Sequence, residues 1–140
     1  MNAIGTVNGL VIDCADPIAL ARFWSAMFAT DVDSIEDEDE APRYVDLRPR
    51  EGVPVLRFQR VPEPKEVKNR LHLDVEVASL DDATAQVESL GARALTERGT
   101  EYGWHFRLMA DPEANEFCLI EEAAAHDSDS APDSDSVVRS

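Results

Sequence analysis

The sequence predicts an α+β fold built from two modules with the strand order βαβββ. A strand, a helix and further strands follow one another twice, over about residues 4–61 and 68–122, which we assign to a single domain, 1–122. The segment Asn8 to Asp13 (NGLVID) is also echoed by Asn69 to Asp74 (NRLHLD). A βαβββ unit is too small to close a core alone, so we expect the two to form a half-open curved sheet with helices outside.

In the first module, residues 5–13 are predicted to form a strand, because apolar residues alternate and β-branched residues are frequent. A helix is expected to follow, since Asp16 is a good N-cap and Pro17 suits the first helical position. Two strands are then predicted, at residues 43–48 and 53–61.

In the second module, residues 70–77 alternate as a strand does. Ser79 is expected to cap a helix that ends at Gly91, with acidic residues in its first turn. Three strands are then predicted, at residues 93–97, 103–109 and 116–121.

The opening strand of the second module has two distinct faces. One face is apolar and is predicted to meet the helix; it consists of Leu71, Leu73, Val75 and Val77. The other face is polar and is expected to line a concave cavity; it consists of His72, Asp74 and Glu76.

Charge limits the classes of partner. The formal net charge is −16, from 29 acidic and 13 basic residues, whereas nucleic acids and anionic membranes require basic patches. We therefore expect neither as a partner. The run Glu36 to Glu40 is predicted to be a solvated loop, and residues 123–140 an acidic disordered tail.

The cysteines indicate a reducing compartment. Cys14 and Cys118 are the only two, and they form no CxxC pair. No signal peptide is visible, and no apolar run approaches the ~20 residues needed to span a bilayer. A cytoplasmic protein with two free thiols is expected.

Three segments carry a family resemblance: 12–17 (IDCADP), 68–74 (KNRLHLD) and 111–118 (DPEANEFC). They resemble the vicinal-oxygen-chelate superfamily, which includes glyoxalase I, extradiol dioxygenases and bleomycin-resistance proteins, and within it the small glyoxalase-like domain proteins. The resemblance covers about residues 4–122. Ala114 stands where the family usually has glycine, and a left-handed conformation there would cost a non-glycine residue roughly 1 kcal/mol.

The resemblance implies where a metal site would lie. Metal-using members place one His or carboxylate ligand on the first strand and one on the last strand of each module. Here His72 is retained, whereas Gly9 has no ligand atom and Cys118 stands in the place of the carboxylate. The last strand of the first module offers Gln59 or Arg57. We therefore expect no cofactor and no complete metal centre.

A modified divalent-metal site that uses His72, Cys118 and Glu116 remains the alternative. In a metal-free cavity, His72 is the candidate catalytic residue, because imidazole exchanges protons near neutral pH. The structural interpretation, which the sequence favours over the functional one, is a hydrogen-bonded cavity histidine. The further candidates for ligand binding are Arg57, Gln59, Asn69, Asp74, Trp104, Glu116 and Cys118.

Two groups of side chains have both a structural and a functional interpretation. Trp104 and Phe106 share a strand face and suit either core packing or a flat apolar ligand. Three arginines suit either salt pairing with nearby carboxylates or recognition of an anionic ligand; they are Arg57, Arg60 and Arg70.

The expected function is that of a glyoxalase-like protein that binds a small organic molecule in the concave cavity of the sheet, without the full metal site. One alternative is a metal-dependent lyase, isomerase or dioxygenase-type enzyme acting on a small carbonyl or aromatic compound. Another is a drug-binding resistance protein. Many members of the superfamily pair, so a homodimer is also expected.

Overall fold

The computed structural model describes residues 2–35 and 41–124. The contacts between Cα atoms divide the chain into two compact units, Met1–Lys65 and Glu66–Ser140. We call these units the first and the second module. The boundary falls in a segment that contains Pro62 and Pro64 and that separates the two repeats in the sequence.

The first module has the predicted order βαβββ. Its elements are β1 (Leu10–Cys14), α1 (Pro17–Phe28), β2 (Val32–Ile35), β3 (Tyr44–Leu47) and β4 (Leu56–Arg60). The strands form a four-stranded sheet in the order β1-β4-β3-β2, in which only β1 and β4 are parallel. This parallel pairing is possible because α1 and the next two strands provide the long crossover that it requires.

The second module repeats this plan with one more strand. Its sheet has the order β5-β9-β8-β6, and β7 pairs with β8 off that path. The strands β5 and β9 are parallel, and the other pairs are antiparallel. Its elements are β5 (Asp74–Glu76), α2 (Leu80–Ser89), β6 (Arg93–Ala94), β7 (Gly99–Glu101), β8 (Trp104–Ala110) and β9 (Glu116–Glu122).

Both helices begin where the sequence predicts. The Asp16 carboxylate accepts the Ala19 N–H at 3.1 Å, with Pro17 at the start of α1. The Ser79 hydroxyl accepts the Asp82 N–H at 3.2 Å at the start of α2. These side chains satisfy backbone donors that have no partner within the helix, which fixes where each helix begins.

Each helix covers one face of the sheet of its own module. In the first module, the residues from helix and sheet that are buried together include Leu20, Trp24, Val45, Leu47, Leu56 and Phe58. In the second module, they include Leu80, Val87, Met109, Phe117 and Leu119. Burial of these apolar side chains is the main favourable term that holds each helix on its sheet.

The opening strands are shorter than predicted. β1 begins at Leu10 rather than at residue 5, because its partner β4 begins only at Leu56. β5 begins at Asp74 rather than at residue 70, because its pairing with β9 starts at Asp74 and Cys118. The prediction that Leu71 faces the helix is wrong, since its side chain is 65% exposed, whereas Val75 is buried as predicted.

Two strands were not predicted from the sequence, and one was predicted too long. β2 contains VDSI and β7 contains GTE, and neither has the apolar alternation of a half-buried strand. The predicted strand 93–97 is reduced to Arg93–Ala94, although the Leu95 N–H still donates to the Leu108 carbonyl. These short strands form because a neighbouring strand offers hydrogen-bond partners.

The predicted acidic loop, residues 36–40, lies outside the described residues, as does residue 125 onward of the predicted tail. Within the described part, Ala123 is buried and its N–H donates to the Gly103 carbonyl. A search of the described residues finds no helix long and apolar enough to cross a membrane.

Candidate functional site

The sheet of the second module has a face toward α2 and a face away from it, which we call the open face of the sheet. The Glu121 carboxylate accepts the Leu80 N–H at 2.8 Å, and the Arg107 guanidinium donates to the Thr84 hydroxyl at 2.8 Å. These contacts place residues 121 and 107 on the helix side. Because side chains alternate along a strand, Cys118 of β9 points to the open face.

Three potential ligand atoms meet on this open face, from His72, Asp74 and Cys118. The three atoms all lie within 4.8 Å of one another. Asp74 and Cys118 are direct partners in the β5–β9 ladder, and His72 precedes Asp74 by two positions. The strand pairing therefore brings together residues that are far apart in the sequence.

The side chains of His72 and Asp74 lie next to each other. Nε2 of His72 lies 3.2 Å from Oδ1 of Asp74, and their side chains are 25% and 33% exposed. An ionised carboxylate only accepts hydrogen bonds, so this contact favours a tautomer in which Nε2 of the imidazole carries the proton. In the neutral ring, Nδ1 is then the nitrogen with a lone pair, and it is able to take a proton from a bound molecule.

Cys118 differs from this pair because it is fully buried. A buried cysteine behaves as a small apolar residue with a weak S–H donor. Its sulfur nevertheless lies in the same group as the imidazole and the carboxylate. The site thus combines an accessible acid–base pair with a sheltered thiol.

The donor types of this group fit one kind of metal ion better than another. A nitrogen, an oxygen and a sulfur suit Zn²⁺, whose tetrahedral ligand atoms lie roughly 3.3–3.8 Å apart. The separations in the group, up to 4.8 Å, require only small side-chain movements to reach that range. Mg²⁺ and Mn²⁺ prefer oxygen ligands, and the thiol therefore makes the group a poor match for them.

Glu116 is not a member of this group, although the sequence analysis named it as the third ligand. Its Oε2 accepts the Asn69 N–H at 3.2 Å and so holds the segment that precedes β5. The carboxylate whose oxygen lies within 4.8 Å of the His72 and Cys118 ligand atoms is that of Asp74. The sequence analysis placed Asp74 on the cavity face, but only the strand register shows that Cys118 lies directly beside it.

Trp104 and Phe106 also lie on the open face, while His105 points the other way. Trp104 and Phe106 are half-buried, and His105 is buried with its Nδ1 2.8 Å from the Thr100 hydroxyl. The predicted alternation of this strand is therefore correct. The two aromatic rings remain partly accessible, as a ligand surface would require.

The candidate residues of the first module lie together on its own sheet. The Arg57 guanidinium donates two hydrogen bonds to the Asp46 carboxylate, at 2.8 and 2.9 Å. Gln59 lies two positions further along β4 and therefore on the same face as Arg57. The salt-pairing interpretation of Arg57 is thus realised, and Asp46, which the sequence analysis did not single out, is its partner.

Gly9 is the position at which the family resemblance would place a ligand. A Cβ atom built on Gly9 would lie 3.1 Å from the Val55 carbonyl oxygen, which is a tight contact with backbone. A side chain at this position would therefore require the backbone at Val55 to shift by a few tenths of an ångström. The first module offers no ligand atom there, as the sequence predicts.

The architecture matches solved structures of the vicinal-oxygen-chelate superfamily. A glyoxalase/bleomycin resistance protein/dioxygenase family enzyme from Burkholderia phytofirmans PsJN is 18% identical, with a TM-score of 0.65 over 82% of this chain and 97% of that one. The fosfomycin resistance protein FosX from Listeria monocytogenes, a mutant complexed with Mn(II) and 1S,2S-dihydroxypropylphosphonic acid, is 13% identical, with a TM-score of 0.67 over 90% and 96%. TioX from Micromonospora sp. ML1 is 17% identical, with a TM-score of 0.60 over 84% and 99%.

The particular family follows from the sequence itself. The model of the glyoxalase-like domain family matches residues 9–120, which include all the strands and helices of both modules except the last two residues of β9. The chain therefore belongs to the glyoxalase-like domain family. A search of curated proteins finds no match.

Proposed function

We propose that this protein binds a small organic molecule on the open face of the second module, where His72 exchanges a proton or a hydrogen bond with it. The observation that carries this proposal is the 3.2 Å contact between Nε2 of His72 and Oδ1 of Asp74. If Nε2 donates to this carboxylate, Nδ1 is the ring nitrogen that would accept a hydrogen bond or a proton from the ligand.

The nearby aromatic side chains support a ligand of this kind. Trp104 and Phe106 are half-buried on the same face, and partly accessible rings are typical of sites for small organic molecules. FosX, which shares the fold, is described as a resistance protein in complex with a small phosphonic acid. We propose that this chain also binds a small molecule, but we do not propose that it binds the same compound as FosX.

A metal-dependent function is the second candidate, because His72, Asp74 and Cys118 converge. The metal named with FosX is Mn(II), whereas a thiol in the donor set favours a softer ion such as Zn²⁺. A zinc ion held by these residues would act as a Lewis acid on a carbonyl oxygen. The contribution of the chain would be to position His72 and Asp74 around the ion.

The predicted homodimer and the predicted cytoplasmic location remain predictions, as does the assignment of residues 1–122 to a single domain with an acidic tail. Light scattering on the purified protein measures the first of these directly. A dimer is expected, and a monomer at working concentrations would contradict it.

The test of the proposed function is a binding screen with small aromatic and carbonyl compounds on the full chain. We expect saturable binding that changes the fluorescence of Trp104. The substitution His72→Ala is expected to weaken this binding at least about tenfold, or by about 1.4 kcal/mol. The matched control is Gln86→Ala, which removes a polar side chain from the exposed side of α2. The control is expected to leave the affinity unchanged.

Two results would overturn the proposal. The first is the absence of any saturable ligand across the screen. The second is binding that His72→Ala and Gln86→Ala affect equally, which would place the ligand elsewhere. Analysis of each bound compound for conversion separates an enzyme from a binding protein, since only an enzyme yields a product whose formation requires His72.

A further inference from the structure

We infer that the molecule bound on the open face of the second module carries a positive charge, and that its cationic end lies on Trp104 between Glu101 and Glu122. This inference rests on the proposed function and names the class of ligand, an aromatic or apolar molecule with an ammonium group. It is drawn from residues of the second module alone.

The strand register places the three side chains in one row. Trp104 of β8 is the direct partner of Glu101 in β7 and of Glu122 in β9. Directly paired residues point to the same side of a sheet, with Cβ atoms about 4.5–5.5 Å apart. The indole ring is therefore flanked by one carboxylate on each side.

The next row of the sheet continues this surface. Phe106 is paired with Gly99 and with Ile120, and Ile120 is paired with Glu76. The ring of Phe106 lies directly over Gly99, because a Cβ atom built on Gly99 would be 2.5 Å from its Cζ atom. The lack of a side chain at Gly99 gives the ring this position. The second row thus extends the aromatic surface and ends in a third carboxylate.

The tight turn between β7 and β8 holds Glu101 and Trp104 in place. The turn residues Tyr102 and Gly103 have φ values of 48° and 82°. Positive φ at both central residues is the geometry of a two-residue hairpin whose twist matches that of the paired strands. Glu101 and Trp104 directly flank this two-residue turn and pair with each other, so backbone geometry fixes their relative position.

The charge of these rows is entirely negative. No member of either row is basic, and all of them lie within the described residues. In addition, Oε2 of Glu101 is buried and has no hydrogen-bond partner among the described residues. A carboxylate oxygen removed from water without a donor is costly. A cation on the neighbouring ring would offset part of this cost through space.

The chemistry of the row selects an ammonium group. A cation over the face of an indole ring gains about 0.5–2 kcal/mol, and flanking carboxylates add Coulomb attraction. An anionic ligand would meet three carboxylates and no basic partner in these rows. The row of Cys118 lies four residues along β9 from that of Glu122, or about 13 Å, so an elongated molecule would reach from Trp104 toward His72 and Asp74.

The test compares three probes that share one ring and one chain length: phenylpropyl-trimethylammonium, its neutral carbon analogue with a tert-butyl group, and the anion 4-phenylbutanoate. Binding to the full chain is measured by calorimetry and by the fluorescence of Trp104, with Trp104→Phe identifying the signal. We expect the cation to bind at least tenfold more tightly than the neutral analogue, and the anion to bind most weakly.

Variants that remove one charge at a time show whether Glu101 and Glu122, rather than the overall negative charge of the protein, attract the cation. Glu101→Gln and Glu122→Gln are each expected to weaken the cation at least threefold and to leave the neutral analogue unchanged. The matched control is Glu88→Gln, which removes the same charge from the exposed side of α2. It is expected to have no effect on either probe at physiological ionic strength, where exposed charges more than about 8 Å away are largely screened.

The outcomes distinguish this inference from the proposed function. Equal binding of the cation and the neutral analogue, both dependent on His72, would overturn the inference and leave the proposed function standing. Equal effects of Glu88→Gln and Glu101→Gln would overturn it as well, because the attraction would then be unspecific. Absence of binding by all three probes, in a protein that binds compounds in the wider screen, would also count against it.

Discussion

β1 pairs in parallel with β4 in the first module, and β5 pairs in the same way with β9 in the second. On the sheet of the first module, Arg57 donates two hydrogen bonds to the Asp46 carboxylate. On the open face of the second sheet, an imidazole, a carboxylate and a thiol converge instead. The same scaffold thus carries one pair of charges that satisfy each other and one group that is able to accept a ligand.

This difference shows that the repeated scaffold does not determine the chemistry of each half. A guanidinium and a carboxylate that meet as a two-pronged pair use their hydrogen-bonding capacity on each other. In the second module, Nε2 of His72 lies 3.2 Å from Oδ1 of Asp74, and the ligand atoms of these two residues and of Cys118 all lie within 4.8 Å of one another. The ligand-binding role that we propose therefore rests on this group in the second module.

The largest expected effect concerns the two cysteines, one in each module. Co²⁺ reports on a zinc-type site because thiolate coordination gives it an intense near-ultraviolet absorption. If the metal-dependent candidate holds, the chain takes up added Co²⁺ with this absorption, and Cys118→Ala weakens the binding at least about 100-fold, or about 2.8 kcal/mol. Cys14→Ala is the matched control, since Cys14 is also buried but lies on β1, outside the group.

If both cysteine variants lost the absorption equally, the result would contradict the proposed difference between the two modules. The titration would remove the metal-dependent candidate if the wild-type protein bound no Co²⁺ at all. His72→Ala is expected to retain a thiolate absorption of lower affinity, because the sulfur remains after the imidazole is removed.

The second prediction concerns the turn that leads into β9. Asp111 is 3% exposed, and its Oδ1 accepts the N–H groups of Glu113 and Asn115 at 2.9 and 3.0 Å. Asp111→Ala leaves these donors without their acceptor, so we expect a loss of about 2–3 kcal/mol in the free energy of unfolding. Urea denaturation measures this loss.

Asp111→Asn is the control for this effect, because the amide keeps a carbonyl oxygen at the same position. We expect it to lose less than half as much stability as Asp111→Ala. Equal losses in the two variants would show that the negative charge of Asp111, rather than its two hydrogen bonds, stabilises the turn.

Much of the fold could be predicted because its signals are local. The caps at Asp16 and Ser79 act on backbone groups within three residues, and the sequence alone locates both helices. β2 and β7 could not be predicted, because VDSI and GTE form strands only where a partner strand lies beside them. Their signal is therefore in the tertiary structure.

The candidate site could be predicted only in part, for the same reason. Alternation along one strand correctly placed His72 and Asp74 on one side. The choice between Asp74 and Glu116 as the third member depended on two long-range facts: the register of β5 against β9, and the Asn69 N–H that binds Glu116 across 47 residues of sequence. Neither fact leaves a trace in the local pattern.

The smallest effect that we predict compares one turn residue from each module. Ala114, between β8 and β9, has φ +67°, and Gly52, between β3 and β4, has φ +78° with no atom near its missing side chain. A left-handed conformation costs alanine about 1 kcal/mol, and glycine avoids this cost. Part of the gain is lost, because glycine has more conformational freedom in the unfolded chain than alanine. We expect Ala114→Gly to stabilise the protein by about 0.5–1 kcal/mol, and Gly52→Ala to destabilise it by a similar amount. Thermal unfolding of both variants and of the double variant measures these changes in stability. A loss of stability in Ala114→Gly would show that the Ala114 methyl group makes contacts that outweigh the backbone strain.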